Sequence, residues 1–427
     1  MSKKKSKDIK WNRLDNTANL FPVIAREGMS NVYRVSVVLK EDIDPEELTK
    51  AVNKVLPFFD VFKARMKKGL FWYYFEKNSN PFPEIREEST YPCMYINPYD
   101  NREYLFRVTY YKNRINLEAF HALTDGNGAL TFLREVTYQY LRNVHPELKE
   151  KVRDSLAATT SLDIEDSYVS NYKKGAKRPY KTKKALIIKG EKLLINQLSV
   201  IHGLIDIGDI KRVAKSYGVT INHYLVAAFT WAIYKSYLKE QPSKDPIVTA
   251  VPVNLRPYFD SDTLKNFFVV VSAVFDVERE NMTFEEILEI TTKSLKEQIT
   301  KEHLEKLFSY NVSNEKNLIL RSVPLFIKSI AMRMVYNESA RANTTTLTNL
   351  GVIPVPDEYR EYIERFLAVL SMSKGQSLKA TVISYGDELV LTFSSAFRGT
   401  GIQRTFFRKL SEDGIKVSIE TNGVNYE

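Results

Sequence analysis

A mixed α/β fold in two strand-and-helix halves is what this sequence predicts. Three observations carry that prediction: apolar–polar alternations that give way to helical spacing, the same change recurring after a charged stretch near the middle, and no short-period repeat. NVYRVSVVLK from Asn31 alternates as a half-buried strand, and Asp44 before Pro45 caps a helix through about Leu56. DVFKARM and LFWYYFE flank Lys68 and Gly69 as a hairpin, while YLFRVTYYK and RINLEAF flank Asn113 as a second one. GALTFLREVTYQYLRNV then has helical spacing, which sets His121 and Asp125 on a short turn between a strand and a helix.

From about Lys149 to Lys189 the chain is charged, poor in periodicity and interrupted by Pro179, the composition of a crossover. The division that follows is a first lobe over 1–165 carrying HALTDG, a charged linker over 166–192, and a second lobe over 193–427. The second half opens with a strand at LSVIHGLID, a helix at DIKRVAKSYG and a buried helix INHYLVAAFTWAIYKSYL capped by Thr220. Strands at PIVTAVPVNLR and FFVVVSAVFDVE come next, then helices at FEEILEITTKSLKEQI and PLFIKSIAMRMVYN. Strands at TTLTNLG, YIERFLAVLSMS, KATVISYG and ELVLTFSSAF precede a closing helix near Arg404.

With 44% hydrophobic and 27% charged residues among 427, the chain has the balance of a globular protein and ample material for a core. Its longest apolar runs, from Leu225 and Phe267, fall short of the roughly 18 residues of a membrane-spanning helix. MSKKKSKDIKW at the amino terminus is basic but leads into no apolar stretch, so a cytoplasmic protein is expected. The single Cys93 allows no internal disulfide and suits a reducing compartment; packing is its expected role. A formal net charge of +10 favours an acidic or phosphorylated partner such as CoA, an acyl carrier protein or a membrane surface. Nucleic acid is disfavoured, because the basic clusters near Lys3 and Lys173 are short and have the character of a tail and a linker.

His121 stands four residues before Asp125 and five before Gly126. A strand-to-helix turn exposes an imidazole while the flanking elements hold it, as a general base requires. Near neutral pH a neutral imidazole accepts a proton from a hydroxyl, amine or thiol. Asp125 can anchor the loop through an arginine, and Gly126 permits backbone conformations or a close approach that a Cβ forbids. The other histidines have plainer readings: His202 and His223 as satisfied structural groups, His145 as a cationic helix cap, His303 as solvent-facing. None has metal-ligand spacing, so no metal is expected, and there is no GxSxG, Walker or GxGxxG motif. The 12% of aromatic residues is mostly core material, with some available to line an apolar channel. SVPLFIKSIAMRMVYN mixes apolar residues with Lys328 and Arg333; burial against the lobe is the expectation, a peripheral membrane contact the alternative.

Four segments in order, LPFFDVFKARM, HALTDG, VPVNLRPYF with NFFVVVSAV, and TTLTNLGVIP, resemble the chloramphenicol acetyltransferase-like superfamily of HxxxDG acyltransferases. That superfamily includes peptide-synthetase condensation domains, wax ester synthases and plant acyltransferases. The resemblance covers nearly the whole chain and is strongest to the alcohol acetyltransferase-like branch. It implies two similar lobes, each a mixed β-sheet with flanking helices, and an active-site channel between them. It also implies His121 as general base, Asp125 as the partner of an arginine, and Gly126 as a loop requirement. Arg65, in KARM, is the first candidate for that arginine and Arg256, in NLRP, the second; Asn349, in TNLG, would orient substrate or oxyanion.

Two departures narrow the resemblance. Phe120 stands where condensation domains and wax ester synthases carry another histidine, and the DFGWG of the plant branch is absent. The implied activity is transfer of an acyl group, for instance acetyl, from a CoA thioester to a hydroxyl, with acyl-CoA as co-substrate and no bound cofactor. An amide-forming transferase using an acyl carrier protein and an amine acceptor stays open, as does a noncatalytic carrier- or acyl-binding member of the fold. The two-lobed resemblance implies that one chain can form a complete channel, so a monomer is expected.

Overall fold

A computed structural model describes residues 11–15, 18–148, 166–173, 184–316 and 322–424. Pro179, the basic cluster near Lys3 and most of the one near Lys173 lie outside them. The first half holds strands β1 (Trp11–Arg13), β2 (Val32–Leu39), β3 (Ala64–Lys68), β4 (Tyr73–Lys77), β5 (Arg86–Glu87), β6 (Phe106–Tyr111) and β7 (Arg114–Phe120). The second holds β8 (Ser199–Asp206), β9 (Ile247–Asn254), β10 (Phe268–Phe275), β11 (Thr345–Val352), β12 (Ile363–Leu370), β13 (Leu378–Tyr385), β14 (Glu388–Ser395) and β15 (Val417–Thr421).

Among the described residues three sheets result, ordered β1-β4-β3, β12-β2-β7-β6-β5, and β10-β9-β11-β13-β14-β8-β15. In the last of these β11 runs parallel to both β9 and β13, so the sheet is mixed. β12 leaves the second half of the chain and pairs antiparallel with β2, from Ile363 opposite Leu39 to Leu370 opposite Tyr33. The five-stranded sheet is thus completed by a strand from the stretch 193–427.

Local chemistry accounts for the element ends. Asp44 accepts from the amides of Glu46 and Glu47 and caps the Pro45–Val55 helix, and Thr220 accepts from His223 N to cap Ile221–Ser236. That second helix is buried nearly all round, as its continuous apolar sequence requires.

Two sequence expectations are corrected here. β2 is buried on both faces: Val35 and Val37 enter an apolar core that includes Leu117 and Phe132, while Arg34 and Ser36 on the other face bond Glu118 and Asn116 of β7. Alternation therefore marked a polar but buried face, because a charge-paired sheet face can be covered without leaving its groups unsatisfied. The Leu325–Ser339 helix is not buried against its lobe. Leu325 is its one buried residue, whereas Phe326, Ile327, Ile330, Met334 and Val335 are exposed. Lys328 donates to Phe71 O at 3.0 Å and Arg333 to Val23 O at 2.9 Å, so polar anchors rather than an apolar face seat this helix.

Candidate active site

β7 ends at Phe120 and the Gly126–Val144 helix begins with Asp125 as its cap, so residues 121–125 form a tight connection. His121 N donates to Asn31 O at 2.9 Å, and the hydroxyl of Tyr33, on β2, donates to Thr124 O and to Asp125 O at 3.1 and 2.7 Å. Thr124 Oγ1 donates to Leu264 O at 2.5 Å, tying the turn to the segment that leads into β10.

Asp125 is 6% exposed and Arg256 9%. Arg256 Nη1 donates to Asp125 Oδ2 at 2.9 Å and Nη2 to Oδ1 at 3.2 Å. The remaining guanidinium N–H groups go to Thr263 O, Asn254 Oδ1 and Lys265 O, which satisfies all five donors. The carboxylate also accepts from Gly128 N at 3.1 Å and Phe267 N at 3.0 Å. With every lone-pair direction engaged, the Asp125 carboxylate fastens the loop.

Arg65 was the first candidate for this partner, and its place in the structure corrects that. It lies on β3, half-exposed, paired with Glu76 at 2.7 Å and Glu103 at 2.5 Å. KARM sits on the three-stranded sheet, where a strand's edge faces solvent, whereas Arg256 sits next to the 263–267 segment that abuts the histidine turn.

The imidazole of His121 stacks on Phe21, ring centroids 4.7 Å apart at 17°, with Tyr33 at 5.0 Å and Phe268 at 5.6 Å. Its Nδ1 lies 3.1 Å from Oδ1 of Asn266. Burial holds its pKa below the ordinary histidine range, which favours the neutral ring, a form able to accept a proton. The ring borders a cavity of about 120 Å³ lined from both halves of the chain, by Tyr33 and Gly126 on one side and by Pro252, Phe268, Asn349 and Leu350 on the other.

Asn349, on β11, lines this cavity; its Oδ1 accepts from Gly351 N at 2.8 Å and its Nδ2 lies 3.5 Å from Asn222 Oδ1. At Gly126 an added Cβ would come within 2.6 Å of Leu350 Cδ2, so close approach rather than backbone conformation explains it. Gly128, which sequence reasoning passed over, is tighter: a Cβ there would meet Thr124 Oγ1 at 2.1 Å and Leu264 O at 2.3 Å.

Sequence reasoning also missed Asp15, Asn266 and Phe21. Asn266 had a signal, since it opens the NFFVVVSAV segment on which the resemblance rested; Asp15 and Phe21 had none. The remaining candidates fall elsewhere. Cys93 is buried, its Sγ 3.4 Å from Val369 O, and desolvation pushes its thiol far up. His202 is buried with Nδ1 2.7 Å from Thr392 Oγ1, and His145 ends the Gly126–Val144 helix between Glu41 and Glu147. Among the described residues His223 Nδ1 has no hydrogen-bond partner, so the expectation of a satisfied group does not hold for that nitrogen. Among the described residues no group of three or more His, Cys, Asp or Glu could hold a metal, and no helix is long and apolar enough to cross a membrane.

No protein-family model and no curated protein matches this chain. Solved structures do. The trichothecene 15-O-acetyltransferase from Fusarium sporotrichioides aligns over 96% of each chain with a TM-score of 0.61 at 11% identity. The first condensation domain of the CDA synthetase aligns over 96% of this chain and 97% of that one, TM-score 0.62, 11% identity. A variant of the starter condensation domain of rhizomide synthetase, solved with C8-CoA, covers 96% and 98%, TM-score 0.61, 13% identity. The fold is therefore the two-lobed, mixed α/β fold shared by these acyltransferases and condensation domains, the chloramphenicol acetyltransferase-like fold.

Proposed function

We propose that this protein is an acyltransferase that moves an acyl group from a CoA thioester to a hydroxyl acceptor, with His121 as general base. The observation that carries the reading is an imidazole held by aromatic rings and facing a cavity lined by both halves of the chain. Solved relatives in fold include an acetyltransferase and a domain holding C8-CoA, which supports CoA as donor.

Nε2 of His121 takes the hydroxyl proton as the acceptor oxygen attacks the thioester carbonyl carbon. The C–O bond forms and the carbonyl oxygen becomes an oxyanion. Collapse of this adduct breaks the C–S bond, and the imidazolium returns the proton to the departing CoA sulfur, so no acyl-enzyme is needed. Asn349, bordering the same cavity, is our choice for the group that steadies substrate or oxyanion. Asp125 and Arg256 hold the loop and take no proton.

The exposed apolar face of the Leu325–Ser339 helix favours a lipid-like acceptor met at a membrane surface. We read the protein as a cytoplasmic monomer whose lobes, 1–165 and 193–427, are joined by the 166–192 crossover, with strand β12 of the second lobe added to a sheet of the first.

The deciding experiment follows CoA release with a thiol-reactive dye over a panel of acyl-CoAs, with pooled alcohols, amines and lipid-like alcohols in vesicles. Release that needs an alcohol and is lost in His121→Ala is expected. Release with amines only, or transfer only from an acyl carrier protein, would replace this reading with the amide-forming one. Silence with every donor would make the chain a binding member of the fold.

A further inference from the structure

We infer that Asp15 and Asn266 are positioning residues that set the tautomer and aim of His121, an inference that rests on His121 being the base. The Asn266 side chain lies among three groups. Its Nδ2 donates to Asp15 Oδ2 at 3.0 Å and to the main-chain oxygen of His121 at 3.1 Å, and its Oδ1 lies 3.1 Å from His121 Nδ1. Carboxylate and carbonyl oxygens are acceptors, so the two contacts on one side of the amide require its nitrogen there and its oxygen toward the ring. An amide oxygen only accepts. Nδ1 of His121 must then carry the ring proton, and in a neutral imidazole that leaves the lone pair on Nε2.

Asn266 acts twice on the same residue. The ring's own main-chain oxygen also acts on it, and Asn266 donates to that very oxygen, so one side chain holds both the ring and the backbone that bears it. Asp15, 251 residues away in sequence, holds Asn266 in turn and anchors itself by accepting from Ala18 N at 2.7 Å. Both side chains are 1% exposed, so water is not available to replace either bond. A carboxylate buried this deeply is costly, and burial pushes Asp15 up to about 7 against the downward pull of Asn266 and the Ala18 amide. Asp166 and Lys265 are the charged groups that act on it. One carboxylate oxygen takes the Ala18 amide and the other turns the Asn266 amide beside the base.

The test is ¹⁵N NMR of the full-length protein with labelled histidine, the His121 ring signals being assigned by their loss in His121→Ala. The wild type should show the Nδ1–H form. Asn266→Ala should populate the Nε2–H form and lower kcat by roughly ten-fold or more, with KM within about two-fold, since a general base contributes roughly 10²–10⁴-fold in all. Asp15→Asn, which leaves one oxygen for two donors, should shift tautomer and kcat the same way by less, and decides the matter should Asn266→Ala fail to fold. An Nε2–H ring in the wild type, or wild-type tautomer and kcat in the variants, would overturn the inference. The ring signals need no turnover, so full activity in His121→Ala would sink the base reading while leaving the positioning of the ring to be judged on its own.

Discussion

Arg256 and Asp125, 131 residues apart, meet in a two-pronged ion pair at 2.9 and 3.2 Å with both partners buried. Through this pair the segment before β10 grips the cap of the Gly126–Val144 helix, and so holds the His121 turn against the second half of the chain.

Breaking it should be costly. Arg256→Ala leaves Asp125 buried without its counter-charge, and a loss of roughly 3–5 kcal/mol is expected in urea unfolding. Arg65→Ala, which removes half-exposed pairs to Glu76 and Glu103, should cost under about 1 kcal/mol. Equal losses would mean that the two arginines have been given the wrong weights.

Gly128→Ala should lower the melting temperature more than Gly126→Ala. The new methyl at 128 meets a main-chain oxygen that is itself fixed, an overpacking worth roughly 1–3 kcal/mol, whereas at 126 it meets one methyl of Leu350, which can turn away. The reverse order would put the tight spot at the wrong glycine.

Acid should silence the enzyme late. Because desolvation lowers the pKa of His121, the acidic limb of kcat/KM is expected below the ordinary value of 6.5. A limb at or above 6.5 would argue against a desolvated base.

Stability should respond to Asp15 with the opposite sign from the histidines. His121 and His202 are neutral in the fold, His202 held down to about 3, so the unfolded chain takes up more protons and stability falls as pH drops below 6.5. Asp15, at about 7 against an ordinary 3.8, keeps its proton longer in the fold; its contribution is present below 3.8 and is lost as pH rises through 7. The melting temperature of Asp15→Asn relative to wild type should therefore climb between pH 4 and pH 8. A flat difference would show that the carboxylate is not buried as described.

From sequence alone came the mixed α/β class, the two hairpins around Gly69 and Asn113, the caps at Asp44 and Thr220, and the turn that carries His121 and Asp125. These are local: alternation, capping side chains and turn residues act within a few positions, and the chain states them directly. Only tertiary structure chose Arg256 over Arg65, because an ion pair between distant segments is decided by which strands become neighbours. The same holds for β12 in the five-stranded sheet, for Asp15 and Asn266 beside His121, and for the exposed helix at Leu325–Ser339. Each depends on contacts between distant segments, which periodicity and propensity do not encode, and on burial, which turns an ordinary aspartate or asparagine into a group whose few hydrogen bonds carry its whole effect.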